Sequence, residues 1–110
     1  AAVLARLLAE HHTSDLTIAE ICRLADLNPN YATGLFKKSL GIGLQEQLTR
    51  HRVATAKRLL VTTDRTILDI ANASGFGSQT RFYAGFAKHV GVPPVAWREQ
   101  MRNVSAHART

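Results

Sequence analysis

The sequence predicts an all-α chain of about seven helices, arranged as two helix-turn-helix subdomains joined by a long linker helix. Three observations carry this expectation. No stretch shows the sustained β-branched alternation of a strand. Amphipathic helical segments are broken at short intervals by Gly, Pro, Asn and Ser. The segment from Thr17 to Gly41 also has a second copy from Thr66 to Gly91, at an offset of 49 that becomes 50 after the turn.

The first helix spans Ala1 to about His12, with Val3, Leu4, Leu7 and Leu8 at helical spacing, and Ser14 and Asp15 break it. Thr17-Ile-Ala-Glu20 has the form of a capping box, in which the Thr hydroxyl and the Glu carboxylate each accept from the other's amide. A short helix follows to about Ala25, offering Ile18, Ile21, Cys22 and Leu24 for burial. Asn28-Pro29 then sets an N-cap and a first helical residue. That helix stops at Gly41. A long helix from Leu44 to about Val61 comes next, apolar at Leu48, Ala56, Leu59 and Leu60.

The second copy starts at Thr66-Ile-Leu-Asp69. Ile67, Ile70 and Ala71 match Ile18, Ile21 and Cys22, while Gly75-Phe76 forms the turn and Ser78 caps the next helix. Phe82, Phe86 and Gly91 match Ala32, Phe36 and Gly41. Pro93-Pro94 opens a last helix through Trp97 to about Arg102. The expected divisions are a first subdomain at 1–43, a linker helix at 44–61, a second subdomain at 62–102 and a flexible tail at 103–110.

Each copy is a short capped helix, a tight turn and a second helix, the layout of a helix-turn-helix. Charge points to an acidic partner, with a net +6 and a pI near 10.3. It is unevenly spread. Residues 1–49 hold four basic and five acidic side chains, and residues 50–110 hold ten and three. A solvated basic face and a duplex-binding half both fit that imbalance. Cys22 is the single cysteine, so no internal disulfide forms. No apolar run approaches the roughly 18 residues of a membrane span, and no cleavable signal is visible, which suits a cytoplasmic chain.

The linker helix is about 27 Å long at 1.5 Å per residue. With the widths of the flanking units, the two second helices can stand about 34 Å apart, one turn of B-DNA. One chain could then place both on the same face of a duplex.

These residues resemble the DNA-binding domain of the AraC/XylS family of bacterial transcription regulators. The motifs are Arg52-x-x-x-Ala56-x-x-Leu59-Leu60, Ile67-x-x-Ile70-Ala71, Gly75-Phe76-x-Ser78, Phe82-x-x-x-Phe86 and Gly91-Val92-x-Pro94-x-x-Trp97-Arg98. Trp97 stands where the family more often has Tyr. Leu27-Asn28-x-Asn30-Tyr31-Ala32-x-Gly34-x-Phe36 and Ser78-x-x-Arg81-Phe82-Tyr83 are similar to the melibiose-operon regulator subgroup. The resemblance implies control of transcription at promoters, with double-stranded DNA and RNA polymerase as partners. It also implies an N-terminal effector-binding or dimerisation domain outside this chain.

Leu35, Phe36, Leu40, Phe82, Phe86 and Val90 read as core, and Ala32 should point inward as the counterpart of Phe82. The family pattern maps base contacts to Asn30, Thr33, Gly34, Gln79, Thr80, Arg81 and Ala84. Asn and Gln suit adenine, Arg suits guanine, and Thr offers a hydroxyl and a methyl. Phosphate contacts fall to Tyr31, Lys37, Lys38, Ser78, Tyr83, Lys88 and the helix N-termini. Arg52 is either a phosphate contact or the partner of a carboxylate. Gly34 and Ala84 stand where many family members carry a long polar side chain. Gly34 either lets the backbone approach DNA closely or is simply tolerated.

Other features read as structure. Cys22 is a small buried residue, Trp97 plugs the second core, and Arg50, Lys57 and Arg58 could be no more than a solvated linker face. The five histidines lack metal-ligand spacing, so no metal or cofactor is expected. No nucleophile–base or carboxylate pair has catalytic spacing, which argues against an enzyme. Two alternatives to a sequence-specific regulator stay open: a non-specific nucleic-acid binder, and a polymerase-contacting module using one unit on DNA. The second unit is expected to supply more electrostatic affinity and the first a subtler, shape-based discrimination.

Overall fold

The computed structural model describes residues 2–108, and every regular element among them is a helix. These are α1 (Ala2–His11), α2 (Ile18–Leu24), α3 (Pro29–Leu40), α4 (Leu44–Thr62), α5 (Ile67–Ala73), α6 (Gln79–Val90) and α7 (Pro94–Ala108). The last helix continues past Arg102 to Ala108, where the sequence suggested a tail. Nothing in Asn103–Ala108 breaks a helix, since the segment holds no Gly or Pro. Ala1, with which the first helix was expected to begin, and Arg109 and Thr110 lie outside the described residues.

Local chemistry sets the helix starts. Thr17 Oγ1 accepts from the Glu20 amide at 3.2 Å while Glu20 Oε1 accepts from the Thr17 amide at 3.5 Å, completing the capping box. In the second copy Thr66 Oγ1 accepts from the Asp69 amide at 3.1 Å. Asn28 Oδ1 accepts from the amides of Asn30 and Tyr31, and Ser78 Oγ from that of Arg81. Gly41 and Gly91 end α3 and α6 at φ 79° and 90°, a left-handed turn that costs glycine least.

Two cores follow, both resting on α4. Leu4, Leu8, Ile21, Cys22, Ala32 and Phe36 gather on its first half, around Leu44 and Leu48. Ile70, Ala71, Phe76, Phe82 and Phe86 gather on its second half, around Val53, Ala56, Leu59 and Leu60. Trp97 packs against the second core, edge-on to Phe86 at 5.7 Å between centroids. Because one continuous helix is buried in both cores, the helix itself transmits position between the two units.

Some apolar residues expected inside are not. Leu35 and Leu40 are 38% and 51% exposed, and Leu24 is 60% exposed. Only Ala32 and Phe36, one helical turn apart, bury from α3. With a small residue as one of its two anchors, α3 contributes a narrower stripe than its apolar count suggests. In α6 the matching stripe is Phe82 and Phe86, with Val90 half-buried beside it.

Candidate nucleic-acid interface

The burial of Ala32 and Phe36 turns the opposite arc of α3 to solvent. Asn30, Tyr31, Thr33, Gly34, Lys37 and Lys38 are all exposed on it. In α6, burial of Phe82 and Phe86 likewise exposes Gln79, Thr80, Arg81, Ala84 and Lys88. Tyr83 is half-buried, its ring tilted against Phe82. Ser78 is half-buried too, because its hydroxyl caps α6. Each unit therefore presents one helix with polar side chains on its free face. Such a face can enter a major groove and read base edges by hydrogen bonding.

Gly34 has open space around it: a Cβ placed there would meet no atom within 4 Å. Its counterpart Ala84 lies on the wall of a cleft between the two units. Asp15, Thr17, Gln45, Thr49 and Arg81 also line this cleft, whose volume is about 440 Å³. Arg81, one of the expected base-reading residues, therefore stands at the junction of the units.

Arg52 turns inward onto the protein's own backbone, and no ion pair joins it to a carboxylate among the described residues. It is only 9% exposed, and its guanidinium donates to three backbone carbonyls. Nε reaches His12 O at 2.9 Å, and Nη2 reaches Ser14 O at 2.9 Å and Leu16 O at 3.0 Å. Burial lowers its pKa, while the nearby Asp15 charge opposes that effect. The side chain points into the molecule because the α1–α2 loop has no helical partners for these carbonyls. A guanidinium satisfies several at once.

Arg98 plays a similar part that the sequence did not disclose. Its Nε, Nη2 and Nη1 donate to the carbonyls of Leu60, Thr63 and Arg65 at 3.0, 3.2 and 2.8 Å. Backbone acceptors carry no side-chain signature, so only the recurrence of an Arg after each unit could have hinted at it. Lys57 is likewise more than a solvated residue, since its ammonium lies 5.7 Å from the centre of the Trp97 ring. Arg50 does face solvent, pairing with Glu46 one turn earlier at 3.5 Å.

Two such units on one buried helix match a known pattern. A family profile described as a helix-turn-helix domain covers residues 21–100 of the chain. The chain belongs to the AraC/XylS helix-turn-helix family. The relatives that it matches are named as operon and transcriptional regulators. The melibiose operon regulatory protein of Escherichia coli K12 is 38% identical to this AraC/XylS domain over 92 residues, covering 84% of this chain and 30% of that protein. The domain thus spans less than a third of that regulator. The C-terminal domain of the two-component response regulator yesN from Fusobacterium nucleatum has a TM-score of 0.82 at 30% identity, over 88% of this chain and 95% of that one. The DNA-binding domain of AdpA, a global transcriptional factor in complex with a target DNA, has the same fold. Its TM-score is 0.83 at 24% identity, over 93% of this chain and 92% of that one. No helix among the described residues is long and apolar enough to cross a membrane.

Proposed function

We propose that this domain binds a specific DNA site by placing α3 and α6 together in successive major grooves on one face of the duplex. Asn30, Thr33 and the Gly34 backbone would read one half-site, and Gln79, Thr80, Arg81 and Ala84 the other. Tyr31, Lys37, Lys38, Tyr83 and Lys88 would hold phosphates, with Ser78 at the α6 N-terminus. The observation that carries this reading is the burial of α4 in both cores, which links two helices with equivalent exposed polar arcs. The excess of basic residues after residue 49 makes the second unit the larger source of electrostatic affinity.

A contact with RNA polymerase and an effector-binding or dimerisation domain N-terminal to this chain complete the proposal. The near-neutral charge of residues 1–49 and the exposed Leu24 and Leu40 favour a protein contact on the first unit. Selection of bound duplexes from a random library tests the DNA reading. The expected product is one motif of two half-sites about one helical turn apart. Enrichment of no motif would leave a non-specific binder, and a single half-site would leave one unit free of DNA.

A further inference from the structure

We propose that a seam of Gly75, Arg52 and the carbonyls of His12 and Ser14 fixes the placement of α6 relative to α3. Gly75 and Arg52 are then positioning residues that decide which half-site spacing the domain accepts. This rests on the two-groove reading above.

The turns of the two units have the same hydrogen bonds. Asp26 N donates to Arg23 O and Leu27 N to Cys22 O in the first. Gly75 N donates to Asn72 O and Phe76 N to Ala71 O in the second. Asp26 and Gly75 are thus equivalent, and both have positive φ, 56° and 95°. The first unit makes this turn with an aspartate at φ 56°, which Asp tolerates, whereas φ 95° at Gly75 already favours glycine.

The other unit adds a second and stricter demand at position 75. A Cβ on Gly75 would overlap the His12 carbonyl oxygen and lie within 2.8 Å of that of Ser14 and 2.9 Å of Arg52 Nε. Those two carbonyls are acceptors of the Arg52 guanidinium. Arg52 therefore holds the α1–α2 loop of the first unit in the place where the second unit's turn closes against it. One further contact and one close approach lie at the joint. His12 Nε2 and Thr55 Oγ1 are 2.6 Å apart, and Asp15 Cβ lies where a Cβ on Gly77 would be 3.3 Å away. Since α6 begins just after Gly77, movement at the seam would move the N-terminal end of the reading helix.

Spacing selectivity reads this role directly. One base pair inserted between half-sites moves the second by about 3.4 Å and turns it by about a tenth of a helical turn. The wild-type domain should lose about 10-fold or more in affinity for that duplex. In Gly75→Ala and Arg52→Lys, checked for helicity by circular dichroism, affinity for the native spacing should fall while the penalty for the insertion shrinks to about 3-fold or less. Folded variants that keep the wild-type penalty would overturn the proposal, as would a wild-type domain that occupies both half-sites at either spacing. Occupation of a single half-site at every spacing would instead defeat the two-groove reading itself.

A second measurement reads the seam without DNA. Spin labels at the exposed positions 39 and 87, introduced as Ser39→Cys and Ala87→Cys in a Cys22→Ala background, report the α3–α6 distance. A narrow distribution that broadens or shifts when Arg52→Lys is added supports the seam. A distribution unchanged by that substitution overturns it.

Discussion

Arg52 on α4 and Arg98 on α7 make the same contact in the two halves of the molecule. Each guanidinium holds the carbonyls one and three residues ahead of the threonine that caps its unit: Leu16 and Ser14 before Thr17, Arg65 and Thr63 before Thr66. The two arginines are not equivalent in the sequence repeat, because offsets of 49 and 50 connect the copies whereas 46 residues separate them. Structure has converged on one solution for the irregular backbone that enters each helix-turn-helix.

Removing either clamp strands carbonyl oxygens. A hydrogen bond to a charged donor contributes about 1.5–3 kcal/mol, and an unsatisfied buried group costs about 1–3 kcal/mol. Arg52→Met should therefore lower stability by about 3 kcal/mol and the less buried Arg98→Met by about 2 kcal/mol, read from urea unfolding. Losses below about 0.5 kcal/mol would mean that water replaces the clamps.

The two glycines inside the reading helices should respond in opposite ways. Gly34→Ala meets no atom within 4 Å and should gain about 1 kcal/mol in stability from helix propensity. Gly85→Ala puts a Cβ 2.8 Å from the Phe76 ring and 3.3 Å from the Thr49 methyl, and should lose about 1–3 kcal/mol. If the α3 backbone lies close to base edges, Gly34→Ala will also weaken binding to the selected site. Unchanged affinity in the stabilised variant would mark a merely tolerated glycine.

Arg81→Ala should weaken specific binding by about 1–3 kcal/mol and relax preference at one base pair. Titration of the selected site, a single-base variant and random duplex separates the roles. Equal losses on all three would make Arg81 a phosphate contact.

The fold was legible because its signals are local. The caps at Thr17 and Thr66, the glycines at 41 and 91, and the buried pairs at helical spacing are each written in side chains. The exposed arcs of α3 and α6 follow from those pairs by periodicity. The role of Arg52 was not legible, because its partners are carbonyls some 40 residues away and any residue supplies a carbonyl. Gly75 was legible as a turn glycine, which its positive φ bears out, but its closeness to the carbonyls of His12 and Ser14 was not. Leu35 and Leu40 carried apolar character to positions the small first core does not reach.

Acid should loosen the joint between α1 and α4. The His51 ring stacks on His12 at 5.4 Å, and burial followed by the His12 charge holds its pKa below the usual 6.5. The unfolded chain then binds the proton more readily, so stability is full above pH 6.5 and declines as pH falls below it. Thermal unfolding between about pH 7.5 and 5 should show the decline, and His51→Gln should flatten it. An equal decline in that variant would place the sensitivity elsewhere.

Hydroxyl-radical footprinting of the isolated domain on its selected duplex tests the central claim most directly. Two protected stretches about one helical turn apart on the same face are predicted, both lost together when either half-site is scrambled. A single protected stretch that survives scrambling of the neighbouring sequence would contradict simultaneous reading by α3 and α6.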